Sequence, residues 1–156
     1  MADKLGIYIH IPFCRSKCDY CDFYSLAGKE DRMDDYLKAL LTHIRETAPL
    51  TKQYQVDTVY LGGGTPSIFG EKRLHKLLGE IFKRFDMSRE AEVTIECNPD
   101  SVDKRRLLSL RRSGVNRISL GVQSACDAEL ASLHRLHTFA QAEIAVAAVR
   151  ESKIKN

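Results

Sequence analysis

The sequence predicts an α/β fold built on a parallel sheet. Strand-like and helix-like segments alternate along the chain in the order βαβαβαβα, with short connections. That order favours parallel strands with crossover helices packed outside them, as in a doubly wound sheet or a (βα) barrel. Each strand also sorts its residues by face, with aliphatic side chains on one face only.

Ile7–Ile11 alternates with period two and predicts the first strand. Met33, Tyr36, Leu37, Leu40, Leu41 and Ile44 form a helical stripe over 31–47. Val56–Leu61 predicts the second strand, ended by Gly62-Gly63-Gly64. Leu74, Leu77, Leu78, Ile81, Phe82 and Phe85 mark a helix over about 71–85. Glu92–Glu96 predicts the third strand, closed by Asn98-Pro99, and a helix over about 103–113 stops at Gly114, a C-terminal cap. Arg117–Val122 predicts the fourth strand. The last helix starts near Thr138, where Thr138 and Gln141 form a capping box, and runs to about Ser152.

The alternation assigns faces. Ile7, Ile9 and Ile11 oppose Tyr8 and His10; Val59 and Leu61 oppose Tyr60 and Gly62. Val93, Ile95 and Cys97 oppose Thr94, Glu96 and Asn98, and Ile118, Leu120 and Val122 oppose Ser119, Gly121 and Gln123. The helices supply apolar cover, so they must take the aliphatic face. The other face then carries Tyr8, His10, Tyr60, Glu96 and Gln123. Ordinary barrel interiors are filled with branched aliphatics; a polar interior suggests a polar ligand. The loops after the strands hold the cysteines and the glycines, at the end where βα folds gather their active sites.

With 156 residues the chain can bury one sizeable core. Hydrophobic residues make up 44% and charged residues 29%, as in a soluble globular protein. The net charge of +3 is too mild to point to nucleic acid, and Lys104-Arg105-Arg106 with Arg111-Arg112 fits the solvated face of a helix. No stretch has the roughly 20 apolar residues of a membrane span. The start, Met1-Ala2-Asp3-Lys4-Leu5-Gly6, lacks the apolar core of a secretory signal.

Five cysteines are an odd number, and three of them crowd into Cys14, Cys18 and Cys21. A secreted disulfide framework is normally even and dispersed; a reducing cytoplasm with thiols kept for a metal is the better account. The C-x3-C-x2-C spacing suits an iron–sulfur loop in which three thiolates hold three irons of a four-iron cluster and leave the fourth open. Zinc is the alternative. It wants four closing ligands, and His10, Cys97 or Cys126 would supply the fourth. Cys97, on the helix-facing side of its strand, points away from such a site.

The spacing, with Tyr20 just before Cys21, resembles the signature of the radical S-adenosylmethionine superfamily. Further stretches resemble the oxygen-independent coproporphyrinogen III oxidase family: Tyr8-Ile9-His10-Ile11-Pro12-Phe13-Cys14, Gly62-Gly63-Gly64-Thr65-Pro66-Ser67 and Ile95-Glu96-Cys97-Asn98-Pro99. Ser119-Leu120-Gly121-Val122-Gln123-Ser124 and Leu133-His134-Arg135-Leu136-His137-Thr138 extend the match over nearly the whole chain.

The resemblance implies an α/β fold comprising the N-terminal four βα units of a partial (βα)6 TIM-like radical SAM barrel. It implies a [4Fe–4S] cluster on Cys14, Cys18 and Cys21, whose open iron chelates S-adenosylmethionine, cleaved by an electron from the cluster to give a 5′-deoxyadenosyl radical. Gly63 and Gly64 would let the backbone approach the methionine end, with Thr65 adding a hydroxyl. Glu96 would accept from the ammonium or ribose, Gln123 would bind ribose, and Arg135 would fork onto the carboxylate. Tyr8 and Tyr20 would pack beside cluster and adenine. His10, beside the cluster loop, reads equally as a hydrogen-bonded core histidine or a functional one.

Porphyrinogen oxidases of the family carry a further cysteine two positions after the third, where this chain has Phe23. Cys21-Asp22-Phe23 is nearer to the heme-chaperone branch. That branch implies heme or porphyrin, heme-receiving proteins and an electron donor such as flavodoxin or ferredoxin as partners. Family members are more than twice as long, and the sequence stops where a fifth strand is due. Residues 1–156 are therefore expected to be the N-terminal part of the radical SAM core, without the last barrel strands, an acidic ribose-binding residue and a C-terminal domain.

Overall fold

The structure, a computed structural model, describes residues 3–156. Met1 and Ala2, part of the segment read as lacking a secretory core, lie outside the described residues. The elements are β1 (Asp3–Ile11), β2 (Phe13–Cys14), β3 (Leu26–Ala27), α1 (Met33–Thr47), β4 (Tyr54–Gly63), α2 (Glu71–Arg84), β5 (Met87–Cys97), α3 (Lys104–Arg112), β6 (Arg117–Leu120), α4 (Asp127–Ser132) and α5 (Phe139–Glu151).

The expected parallel sheet forms in the order β1-β4-β5-β6, and every pairing in it is parallel. Along the layer of helices α1 packs on α2, α2 on α3 and α3 on α5. Ile9, Ile11, Val59, Leu61, Val93, Ile95 and Cys97 are buried with Leu37, Leu41, Leu74, Leu77, Leu78 and Ile81 in one core. Each such aliphatic side chain contributes about 1.5–3 kcal/mol. Tyr8, by contrast, is 58% exposed. The helices thus cover the aliphatic face, as the alternation requires, and leave the polar face to the site. Among the described residues, no helix is long and apolar enough to cross a membrane.

Caps behave as read. The Thr138 hydroxyl accepts from the Gln141 N–H and the Gln141 side chain accepts from the Thr138 N–H. Gly114 ends α3 at φ +98°, where an added Cβ would sit 2.5 Å from the Phe82 ring. The basic run of α3 is largely paired: Lys104 with Glu151, Arg105 with Glu71, Arg106 with Asp103.

Several boundaries differ. β1, β4 and β5 begin before the alternating segments, because parallel pairing continues through residues with weak patterning such as Asp3↔Tyr54 and Val56↔Met87. β4 keeps Gly62 and Gly63 in the sheet, paired with His10 and Ile11. β6 stops at Leu120, so Gly121, Val122 and Gln123 leave the strand, and Gln123 has φ 74°. Two features carried too little pattern to be expected: the two-residue pair β2–β3 and the six-residue α4. Beyond β6, the Ile118 N–H donates to the Asn156 carbonyl at 2.9 Å.

Candidate functional site

Cys14 ends β2, directly after β1. Parallel pairing of Phe13–Cys14 with Leu26–Ala27 closes the loop that carries Cys18 and Cys21. The Leu26 N–H donates to the Pro12 carbonyl at 2.6 Å, and within the loop the Cys21 N–H donates to the Cys18 carbonyl at 3.0 Å. His10 adds a staple. Its Nε2–H donates to the Tyr24 carbonyl at 2.9 Å, which leaves Nδ1 to accept from the Tyr8 hydroxyl at 3.1 Å. The structure therefore places His10 as a hydrogen-bonded strut of the loop.

The glycine turn at the end of β4 docks against the same segment. The Gly64 N–H donates to the Ile11 carbonyl at 2.9 Å and the Thr65 N–H to the Phe13 carbonyl at 2.7 Å. A Cβ on Gly64 would lie 2.6 Å from the Phe13 carbonyl oxygen and 2.9 Å from Cys14 Sγ. Gly63 has φ +116°, and a Cβ there would meet the His10 ring at 2.7 Å. Only glycine fits either position.

A cleft of about 230 Å³ opens at the carboxyl ends of the strands. Its walls are Cys14, Cys18, Cys21, Tyr20, Gly63, Gly64, Thr65, Glu96, Gln123 and Arg135, with Phe23, Ser25, Asn98, Ser119 and Gly121 among their neighbours. Every site residue expected from the sequence except Tyr8 lines it. Tyr8 lies outside the cleft on the exposed polar face, its ring 6.1 Å from that of Tyr60 and nearly parallel to it.

Glu96 faces the cleft, but both its oxygens hold the protein itself. Oε1 accepts from the Tyr60 hydroxyl at 2.8 Å and Oε2 from the Gly63 N–H at 3.0 Å. Arg135 spans the mouth: Nη2 donates to Asn98 Oδ1 at 2.9 Å and to the Gly121 carbonyl at 2.7 Å. Its Nη1 lies 3.5 Å from Cys18 Sγ and 3.4 Å from the Tyr20 hydroxyl. His134 Nδ1 donates to Asp19 Oδ2 at 2.6 Å, a second tie between the arginine loop and the cysteine loop. Asn98 and Ser119 were not singled out from the sequence. The signal was present: alternation placed Asn98 beside Glu96, and Ser119 beside Gln123.

Burial pushes the Cys14 thiol up, and the Thr65 hydroxyl 3.6 Å away opposes that shift. Burial likewise raises Tyr20, while the Arg135 charge pulls it down. Cys97 is a core thiol, pushed up to about 12 chiefly by burial, so it stays protonated.

Among the described residues, no three His, Cys, Asp or Glu side chains converge as a single ion would require. None of the three zinc-completing candidates presents a ligand to the loop: His10 is hydrogen-bonded to Tyr24, Cys97 borders the cleft but is buried in the core, and Cys126 is exposed. A four-iron cluster asks for a different arrangement, because each thiolate meets a different iron and the sulfurs ring a body. The residues present fit that demand. The three thiols line the cleft, Gly64 leaves a cradle beside Cys14 that a Cβ would fill, and a buried polar atom of a cleft-lining residue, Arg135 Nε, has no partner among the described residues.

Comparison with known proteins agrees with this geometry. The chain is 42% identical over 134 residues to the heme chaperone HemW of Escherichia coli (strain K12), covering 85% of this chain and 35% of that one. It is 39% identical over 157 residues to the heme chaperone HemW of Haemophilus influenzae, covering 97% and 41%. The solved structure of coproporphyrinogen III oxidase (HemN) from Escherichia coli, a radical SAM enzyme, superposes with a TM-score of 0.91 at 28% identity, covering 99% of this chain and 36% of that chain. The chain thus spans about two fifths or less of the length of these relatives. Residues 8–156 match the description of the Radical SAM superfamily, and the chain belongs to that superfamily.

Proposed function

We propose that this chain forms the cluster and S-adenosylmethionine site of a heme chaperone working in a reducing cytoplasm. The observation that carries the reading is that one cleft at the strand ends gathers the three cysteines, the glycine turn, Glu96, Gln123 and Arg135. Cys14, Cys18 and Cys21 would hold a [4Fe–4S] cluster, and when bound that cluster supplies the electron for cleavage of S-adenosylmethionine. The chain's own residues do the positioning. Gly63 and Gly64 bring backbone close to the ligand, and Glu96 fixes the Gly63 amide through a carboxylate hydrogen bond. Arg135 offers its Nε–H, a guanidinium donor without a partner among the described residues, to an anionic group such as the methionine carboxylate. Gln123 and Tyr20 take the ribose and adenine side. In the full-length protein, heme would be passed to receiving proteins, with a flavodoxin or ferredoxin as electron donor.

Phe23 in the cleft wall supports the chaperone reading, since a porphyrinogen oxidase of this family has cysteine there. A second reading, oxidative decarboxylation of coproporphyrinogen III, is favoured by the close superposition on HemN. Anaerobic reconstitution followed by iron and sulfide analysis tests the shared cluster: four irons and four sulfides per chain are expected, and zinc without iron in the native protein sinks it. Incubation of the full-length protein with coproporphyrinogen, dithionite and S-adenosylmethionine then separates the branches. Heme uptake without protoporphyrinogen supports the chaperone, and protoporphyrinogen formation supports the oxidase.

A further inference from the structure

One hydrogen-bonded chain links two of the three cluster-loop sulfurs, and Asn98 is its middle. Arg135 Nη2–H donates to Asn98 Oδ1 at 2.9 Å, and guanidinium can only donate, so the amide oxygen must face it. The amide nitrogen is thereby aimed at Thr65 and donates to Oγ1 at 3.2 Å. With that oxygen accepting, the Thr65 hydroxyl proton is left for Cys14 Sγ, 3.6 Å away. At the other end Arg135 Nη1–H approaches Cys18 Sγ at 3.5 Å. Both sulfurs are thus offered a donor, and both donors are held by one side chain. Asn98 is itself rigid: it follows β5, and its N–H donates to Ser101 Oγ at 3.0 Å.

We infer that Asn98 is a positioning residue that aims the Thr65 and Arg135 donors at the Cys14 and Cys18 thiolates and thereby sets the reduction potential of the cluster. The inference rests on the cluster assignment above. One-electron reduction adds negative charge to the cluster and its thiolates, and hydrogen bonds to the sulfurs stabilise that charge and raise the potential. A network in a part-buried cleft wall does so more strongly than the same groups in water.

The test is a double-mutant cycle read as midpoint potential, by dithionite titration of the reconstituted full chain followed by electron paramagnetic resonance. N98D keeps an acceptor for Arg135 but cannot donate to Thr65, whose hydroxyl then turns to the new carboxylate and leaves Cys14. T65V deletes the same donor from the other side, and T65S restores it. N98D and T65V should each shift the potential negative at unchanged iron content. The N98D/T65V double variant should shift by less than the sum, because the two act through one hydroxyl, and T65S should return to the wild-type value. Additive shifts, or wild-type potentials in loaded N98D and T65V, overturn the inference. Should N98D take up no iron, N98A replaces it in the same cycle with the same two outcomes. A wild-type chain that takes up no iron and sulfide is a different result: it overturns the cluster assignment itself.

Discussion

Glu96 Oε2 accepts a hydrogen bond from the Gly63 backbone N–H at 3.0 Å, across neighbouring strands of the sheet. With Tyr60 donating to Oε1 at 2.8 Å, the carboxylate locks the glycine turn that shapes the cleft. Glu96→Gln can keep an acceptor on Gly63 and let its amide donate to the Tyr60 oxygen. Glu96→Ala leaves the Gly63 donor without a partner, which costs about 1–3 kcal/mol. Urea unfolding should therefore show a clear loss for Glu96→Ala and a small one for Glu96→Gln. Equal losses would show that the carboxylate does not hold the turn.

The two kinds of cysteine should separate on substitution. Cys18 lines the cleft beside Arg135, whereas the Cys97 thiol is buried in the core and protonated. Cys18→Ala should abolish the brown chromophore of the reconstituted protein. Cys97→Ala should keep it, with only a packing loss in stability. An intact cluster in Cys18→Ala would overturn the ligand assignment, and the visible spectrum with iron analysis reads both variants.

His137 makes stability depend on pH. Burial pushes its pKa below the ordinary value, with the nearby Arg135 charge acting the same way and the Val122 carbonyl opposing. The neutral ring donates Nε2–H to Val122 at 3.1 Å and leaves Nδ1 buried without a partner among the described residues. Protonation would put an unsatisfied donor there. The unfolded chain takes up the proton first as pH falls, so the contribution is full above the unfolded value near 6.5 and is lost as pH drops toward the folded one. The urea midpoint should be lower at pH 5.5 than at pH 7.5, and His137→Gln should narrow that difference. Asp34 and Glu80, lowered by their arginine partners, act only in a more acidic window.

Gln123 holds φ 74° in the cleft wall, a left-handed conformation that strains a residue with a Cβ. Gln123→Gly should be more stable than Gln123→Ala by about 1 kcal/mol, since both lose the side chain and only one keeps the strain. Both should weaken S-adenosylmethionine binding to the reconstituted protein to a similar extent. Equilibrium dialysis measures the affinity and urea unfolding the stability. Affinity unchanged in both variants would remove Gln123 from the ligand site.

How far the sequence reaches is clear from particular residues. Period-two alternation put Ile9, Ile11, Val59, Leu61, Val93 and Ile95 on the covered face, and all are buried. It also put Glu96 and Asn98 on the opposite side, where the cleft opens. Alternation could not show that Gly121 to Gln123 turn out of the sheet, because strand ends depend on the pairing partner. It could not show β2–β3 either, since two residues carry no period.

The sequence by itself determined the order of elements, the parallel sheet, the covered face and the cysteine loop, because these follow from local periodicity and spacing along one segment. Only the tertiary structure decided what each polar group holds: Glu96 on Gly63, His10 on Tyr24, and Asn98 between Thr65 and Arg135. These partners lie 14 to 37 positions apart in the chain. Hydrogen bonding requires donor and acceptor to meet within about 3 Å, and that proximity is created by strand register and loop closure rather than by neighbouring sequence.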